Sequence, residues 1–268
     1  MHTITIYKYV LSALLLASLA ACGSIPAFGQ VTPSGSSGAA SSPSTDGQAP
    51  AADLCANPLV PVKQGAIWSY VNTGVSSSPI TLSTTITDVK PDGFTVATHF
   101  DDSITLDQDW ACTPDGLLAR SLGSGQTTLG LSLSDVTASF ATSNAAGVTL
   151  PAHVKQGKTW MYGLDVMGNI VRDNLSAELR GTVSTNLQEL GTENVTVPAG
   201  TFSAMKISAV TTFNMNANYS GITIPISSSV NSTFWFAPGV GWVKSVQTGD
   251  LPGMAINSVT ELQSYKLP

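Results

Sequence analysis

The chain has 268 residues, of which 43% are apolar and only 10% are charged, whereas an average soluble protein carries about 25% charged residues. The formal net charge is -6 at pH 7, and lysine and arginine form no basic cluster. Nucleic-acid binding requires such a cluster and a coiled coil requires regularly placed charges, so both are excluded. The sequence also lacks a phosphate-binding glycine loop and a dinucleotide fingerprint, and we expect no cofactor.

Residues 1–21 have the composition of an export signal. Lys8 lies near the N-terminus, and residues 10–19 form an apolar run that is too short to cross a bilayer of about 30 Å. The run ends in residues 19–22 (LAAC), which resemble the lipobox of bacterial lipoproteins. This resemblance implies cleavage before Cys22 and attachment of acyl chains such as palmitate. The alternative is an ordinary signal peptide in which Cys22 has no role.

Residues 22–52 are predicted to be a lipidated cysteine followed by a disordered tether. The segment is rich in Ser, Gly, Ala and Pro, so it cannot bury enough apolar surface to offset its conformational entropy. Two or three acyl chains hold a protein on a membrane essentially permanently, and the membrane is therefore the expected partner. Because Gly23 stands where an aspartate favours inner-membrane retention in lipoproteins, the resemblance implies the outer membrane or the cell surface.

The remainder of the chain, from residue 53, is predicted to be all-β. Apolar and polar residues alternate in segments such as residues 80–89 and 205–210, and Val, Ile, Thr and aromatic residues are frequent. Turn sequences with Pro and Gly separate these segments, as at residues 91–93 and 237–239. We therefore expect antiparallel β-meanders.

An internal repeat divides this region into two related lobes, residues 53–149 and 150–268. Residues 62–70 (VKQGAIWSY) recur as residues 154–162 (VKQGKTWMY) at an offset of 92. A weaker pair follows in the same order, in which a glycine comes six positions after a tryptophan, at residues 110–116 and 235–241. The sequence predicts two β-meander lobes but leaves open whether they form one continuous sheet or two packed units.

The aromatic residues of these motifs are the candidate ligand-facing or core residues. A tryptophan and a tyrosine two positions apart on a strand point to the same face, so they suit either a core or an apolar pocket. The spacing does not separate these alternatives. The residues concerned are Trp68, Tyr70, Trp110, Trp160, Tyr162, Trp235 and Trp242.

These motifs together resemble functionally uncharacterised bacterial lipoproteins of β architecture. The resemblance depends on the lipobox, the Cys-x-Asn-Pro segment at residues 55–58, the repeated VKQGxxWxY segments, and residues 197–202 (VPAGTF) and 237–241 (APGVG). More distantly, the architecture is similar to the half-barrels of lipoprotein carriers. The resemblance implies a β fold and an envelope location, and it implies no activity.

The cysteines predict one disulfide. If Cys22 is acylated, Cys55 and Cys112 remain in an oxidising compartment, where pairing is the default and two free thiols are the alternative. The disulfide would stabilise the fold by roughly 4 kcal/mol on the chain-entropy model.

No catalytic or metal site is expected. An S-x-x-K pattern at Ser203 and Lys206 lies in a strand-like segment without the other motifs of the β-lactamase family. His99 with the nearby acidic residues 101–109 matches no calcium-binding loop, so a solvated acidic edge is the better interpretation.

The predicted function is that of a membrane-anchored envelope lipoprotein with a non-enzymatic structural or binding role. Its further partner would be an envelope protein, a polysaccharide or a hydrophobic molecule. One alternative is a carrier of a lipid or other hydrophobic ligand in a β cavity, which requires an apolar void. A hydrolase is a minor alternative, because two remote carboxylates can converge in a fold without leaving a sequence pattern.

Overall fold

The structure is a computed structural model that describes residues 54–74, 78–100, 104–121, 129–133, 136–172, 175–251 and 254–268. The predicted signal peptide, Cys22 and the predicted tether lie outside the described residues. Within the described ranges, no helix is long and apolar enough to cross a membrane.

The described chain is built from strands connected mainly by short turns. The fourteen strands are β1 (Ile67–Thr73), β2 (Ile80–Lys90), β3 (Gly93–Phe100), β4 (Ile104–Thr113), β5 (Gly116–Ala119), β6 (Leu129–Leu133), β7 (Val136–Gly147), β8 (Leu150–Pro151), β9 (Thr159–Arg172), β10 (Leu175–Val197), β11 (Gly200–Tyr219), β12 (Ile222–Ala237), β13 (Gly241–Leu251) and β14 (Met254–Lys266).

All fourteen strands belong to one antiparallel sheet in the order β6-β7-β9-β10-β11-β12-β13-β14-β1-β2-β3-β4-β5-β8. The predicted all-β antiparallel class is therefore confirmed. The question that the sequence leaves open is also answered, because β14 pairs with both β13 and β1 and makes the two halves continuous. The predicted lobe boundary at residues 149–150 falls at the start of β8.

Alternation along the strands places one face of the sheet in the core. On β1, Trp68, Tyr70 and Asn72 are buried, while the residues between them are more exposed. This period of two is the expected result of a pleated strand with one covered face. We call the covered side the inner face. Its largest fully buried side chains include Tyr162, Leu82, Ile86, Leu117, Ile207 and Leu262.

The sheet curls until strands near its two ends are in contact. The segment between β7 and β9 bridges them, because the Val148 amide donates to the Met161 carbonyl of β9 and the Thr149 amide donates to the Leu117 carbonyl of β5. The distances are 3.1 and 2.9 Å. This closure encloses the inner face and leaves the other face to solvent.

The second half of the sheet has the longer strands. Strands β9 to β12 have 14, 23, 20 and 16 residues, whereas β1 to β4 have 7, 11, 8 and 10. Much of the extra length extends β11 and β12 beyond the end of β13.

Candidate functional site

The Cys55–Cys112 disulfide joins the segment before β1 to the end of β4. The two Cα atoms are 4.9 Å apart, and both cysteines are buried. The predicted pairing is present. The disulfide attaches the N-terminal segment of the described domain to the sheet near Val60 and Leu117, which line an apolar cavity.

The first VKQGxxWxY motif connects β1 to β13. Gly65 has a φ of 81°, which permits the turn that precedes the strand. The Trp68 indole donates to the Val240 carbonyl at 2.6 Å, and the Tyr70 hydroxyl donates to the Trp242 carbonyl at 3.0 Å. Burial raises the pKa of Tyr70, because the phenolate would lose its hydration.

The second motif makes the corresponding contacts at the other junction. Gly157 has a φ of 72° before β9. The Trp160 indole donates to the Thr149 carbonyl at 3.2 Å, and the Tyr162 hydroxyl donates to the Ala119 carbonyl at 2.5 Å. Burial also raises the pKa of Tyr162. The local conformations of the two segments correspond, while duplication of the whole lobe stays a prediction.

An apolar cavity of about 130 Å³ lies on the inner face, and residues of both halves line it. Four of the seven candidate aromatic residues line it, namely Trp68, Tyr70, Trp110 and Trp242. Its remaining lining residues are Val60, Thr84, Ile86, Phe94, Val96, Thr98, Gln108, Leu117, Thr149, Leu150, Phe234, Phe236 and Gly241. Trp160, Tyr162 and Trp235 lie outside this lining.

Stacked aromatic rings form part of the cavity wall. The rings of Phe94 and Trp110 are parallel within 11° at a centroid distance of 5.6 Å. The Trp110 indole donates to the Gln108 side-chain oxygen at 3.0 Å, and the Gln108 amide nitrogen donates to the Ser121 carbonyl at 2.8 Å. These hydrogen bonds fix the orientation of Trp110 and satisfy the polar atoms of Gln108, so the wall is preorganised.

The cavity volume limits what can bind inside it. Sites for drug-sized ligands usually measure about 300–1,000 Å³, whereas an apolar cavity of about 150 Å³ accepts benzene. The volume of about 130 Å³ therefore suits one ring or a short branched chain. A longer ligand would extend out over the inner face.

A polar cleft of about 730 Å³ lies between β7 and the region of β2 to β5. One wall includes Lys90, Asp109 and Arg120, and the other includes Thr142 and Asn144. The lining combines cationic, anionic and neutral polar groups, which can bind a polar molecule by hydrogen bonds. Sequence reasoning missed this cleft, because its walls are remote in the chain and share no motif.

Trp235, which is buried, belongs to a separate cluster with the charged side chains of Glu193 and Lys206. Its indole donates to Glu193 Oε1 at 2.7 Å, while Lys206 Nζ lies 5.4 Å from the ring centroid and 3.2 Å from Glu193 Oε1. The Trp235 hydrogen bond, followed by Lys206, holds the pKa of Glu193 below its usual value. Lys206, the lysine of the S-x-x-K pattern, is thus engaged with a carboxylate and a ring.

The acidic edge around His99 contains no candidate cation site in the described part of the chain. His99 Nδ1 lies 2.8 Å from Thr105 Oγ1, and Asp109 Oδ1 accepts a hydrogen bond from Thr95. Asp101 and Asp102 lie outside the described residues. Elsewhere in the described ranges, no group of three or more His, Cys, Asp or Glu side chains is placed to hold a metal ion.

Comparison with known proteins gives similarities of limited extent. Residues 169–250 match a family model described as DUF3108-like. A Bacteroides fragilis structure described as an exported protein with a YmcC-like fold has 17% identity and a TM-score of 0.42, and the match covers 79% of this chain and 100% of the other. A Parabacteroides distasonis structure described as a lipoprotein has 16% identity and a TM-score of 0.40, with 79% and 99% covered. No curated protein matches the sequence.

Proposed function

We propose that this protein is a cell-envelope lipoprotein that is attached to a membrane through Cys22 and has a non-enzymatic binding role. The outer membrane or the cell surface is its location in this proposal. The attached part is the curled sheet, which presents an apolar cavity and a polar cleft.

The observation that carries the proposal is the distribution of the three cysteines. Cys55 and Cys112 are paired and buried, as expected for a protein that folds in an oxidising compartment. The third cysteine, Cys22, stands at the end of the apolar export segment, where lipoproteins are acylated. Export and acylation are thus supported by independent features of the chain.

The test of the anchor is a Cys22→Ser variant expressed in bacteria with an alkyne analogue of palmitate. We expect the wild-type protein to be labelled and membrane-bound, and the variant to be unlabelled. A Ser24→Ala variant, which changes a neighbour of Cys22 and keeps the sulfur, should behave as wild type. An unlabelled wild-type protein, or a labelled Cys22→Ser variant, would refute acylation at Cys22.

A second candidate function, carriage of a hydrophobic ligand, is favoured by the apolar cavity. Its aromatic walls and volume suit a ring or the end of an alkyl chain. The test is native mass spectrometry of the purified mature chain, with extraction and identification of any bound molecule. A Val96→Trp variant should fill the cavity and lose the ligand, whereas a Val210→Trp variant, at an exposed position outside the lining, should retain it. A wild-type protein without a bound apolar molecule would favour the structural binding role over carriage.

A further inference from the structure

The hairpin of β11 and β12 ends in an extension that we call the arm, residues 213–228. Ser220 and Gly221 form its two-residue turn with φ values of 49° and 83°, and the Gly221 amide donates to Asn218 Oδ1 at 3.2 Å. Residues 222–228 pair with β11 on one side, whereas the described pairing of β12 with β13 begins at Ser229. The arm therefore extends beyond the end of β13.

The two faces of the arm differ in composition. Directly paired residues of an antiparallel hairpin lie on the same face, so Ala217 and Ile224, and Tyr219 and Ile222, form pairs on one side. This is the inner face, because the same row leads back to the fully buried pair of Thr211 and Val230. The opposite face carries Asn214, Asn216 and Asn218, which are exposed.

The apolar face of the arm loses its cover toward the tip. Val230 is 0% exposed, whereas Ile224 is 51% and Ile222 is 63% exposed. Tyr219, which is paired with Ile222, is 37% exposed. The tip thus exposes two isoleucines and a tyrosine on one side of a turn. Contact between this apolar surface and water is unfavourable.

The arm also lies in a long uncharged part of the chain. Residues 207–243 contain no Asp, Glu, Lys, Arg or His, although the protein as a whole has a net charge of -6. On the adjacent β10, the neighbouring charges Glu178 and Arg180 belong to the outer face, since they pair with Asn218 and Asn216, and they form an ion pair with each other. Burial of Tyr219, Ile222 and Ile224 in an apolar medium would therefore require no charge of the arm itself to be desolvated.

The features of the arm favour lipid as the medium that covers it. Pro225 has no amide hydrogen to donate, so it opposes the addition of a strand from a second copy at this edge of β12. A tyrosine beside isoleucines suits the boundary between lipid headgroups and acyl chains, where aromatic rings are enriched. The absence of basic residues points to shallow apolar insertion rather than to electrostatic attraction by anionic lipids.

The length of the chain before the domain permits this contact. The described domain begins beside the β12–β13 turn, where the Gly239 amide donates to the Pro58 carbonyl, so the arm tip lies at the other end of β12. With 16 residues, β12 is about 50 Å long. The 31 residues from 23 to 53 reach at most about 100 Å when fully extended. A chain held at Cys22 can thus place the arm tip on the same membrane.

We infer that the arm tip is a second membrane-contact site, which inserts Tyr219, Ile222 and Ile224 into the surface of the bilayer. This inference rests on the proposed function, because the acyl chains at Cys22 bring the domain to the membrane. Insertion of the arm tip would orient the sheet relative to the membrane, which a flexible lipid anchor alone does not do.

The experiment measures flotation of the mature, unacylated chain, residues 22–268 with Cys22→Ser, with phosphatidylcholine vesicles. We expect measurable binding, reduced at least tenfold by Ile222→Ser combined with Ile224→Ser. The matched control is Met161→Ser combined with Met167→Ser, which removes two exposed apolar side chains of the outer face of β9 and should bind as the parent does. A parent chain that does not bind, or an isoleucine variant that binds equally, would overturn the inference.

A second measurement does not depend on variants that alter the apolar face. Ser220→Cys in the same chain provides a single free thiol, because Cys55 and Cys112 are paired. An environment-sensitive fluorophore attached there should shift to shorter wavelength on addition of vesicles, whereas one on Lys155→Cys, before β9, should not. Equal shifts at both positions, or arm-dependent dimerisation in sedimentation velocity without vesicle binding, would contradict membrane contact by the arm. Palmitate labelling of Cys22 tests the proposed function separately, since vesicle binding here occurs without acylation.

Discussion

The hydroxyl of Tyr162 on β9 donates a 2.5 Å hydrogen bond to the carbonyl of Ala119 on β5. These strands lie near opposite ends of the sheet order, so the bond joins parts of the sheet that are not paired with each other. Tyr70 on β1 makes the corresponding bond to Trp242 of β13. Each VKQGxxWxY motif thus links its own strand to a strand of the other half.

Loss of the Tyr162 hydroxyl should destabilise this junction. We expect Tyr162→Phe to lower the free energy of unfolding by about 1–2 kcal/mol, since a buried carbonyl loses its donor and the ring is retained. Urea denaturation measures the change. Tyr265→Phe, at a residue that is 40% exposed, is the control and should have little effect. Equal stability of the Tyr162→Phe variant and wild type would contradict a stabilising role for the bond.

The disulfide should contribute more than this hydrogen bond. Cys55 and Cys112 are 57 positions apart, and removal of the cross-link by Cys55→Ser with Cys112→Ser should cost roughly 4 kcal/mol on the chain-entropy model. Urea denaturation with and without dithiothreitol provides the measurement. The wild type should lose stability on reduction, and the double variant should not respond. A wild type that is unaffected by reduction would be inconsistent with this contribution.

Stability should fall in alkaline solution because of the buried tyrosines. Burial raises the pKa of Tyr70 and Tyr162 above their unfolded value of about 10. Above that pH the unfolded chain loses protons that the folded chain keeps, so each tyrosine lowers stability by up to about 1.4 kcal/mol per pH unit. Below about pH 10 both tyrosines are protonated in the folded and in the unfolded chain, so their full contribution to the free energy of unfolding is present. A double Tyr→Phe variant should show a shallower decline in urea midpoints between pH 9 and pH 11, and an unchanged slope would contradict this assignment.

The carboxyl of Glu193 should report the integrity of the Trp235 cluster. The Trp235 indole is the first cause of its lowered pKa and Lys206 is the next. We therefore expect Trp235→Phe and Lys206→Gln each to raise the pKa of Glu193 toward its usual value. Carbon-13 NMR titration of the side-chain carboxyl measures both. Met161→Ser, at a position outside the cluster, should leave the titration unchanged. An unchanged pKa of Glu193 in the Trp235→Phe variant would contradict the Trp235 hydrogen bond as a cause of the lowered pKa.

The strand class and the aromatic pairs could be predicted because they depend on local pattern. Alternation in residues 80–89 corresponds to β2, and the glycines before Trp68 and Trp160 have the positive φ that the turn interpretation requires. The polar cleft could not be predicted, because Arg120 and Asn144 line one cleft only when β7 approaches the region of β2 to β5. The spacing of residues in the sequence gives no information about this approach.

By itself, the sequence predicted an export segment with a terminal cysteine, the pairing candidates among the cysteines, and the antiparallel β class, since each prediction depends on composition or on short-range order. Only the tertiary structure decided that the two halves form one curled sheet and that the arm tip is uncovered. It also separated the aromatic residues, because Trp160 and Tyr162 link parts of the sheet near its opposite ends. The residues that border the cavity are Trp68, Tyr70, Trp110 and Trp242. The physical reason is that an apolar side chain on a strand has the same pattern whether a core, a void or solvent lies opposite it.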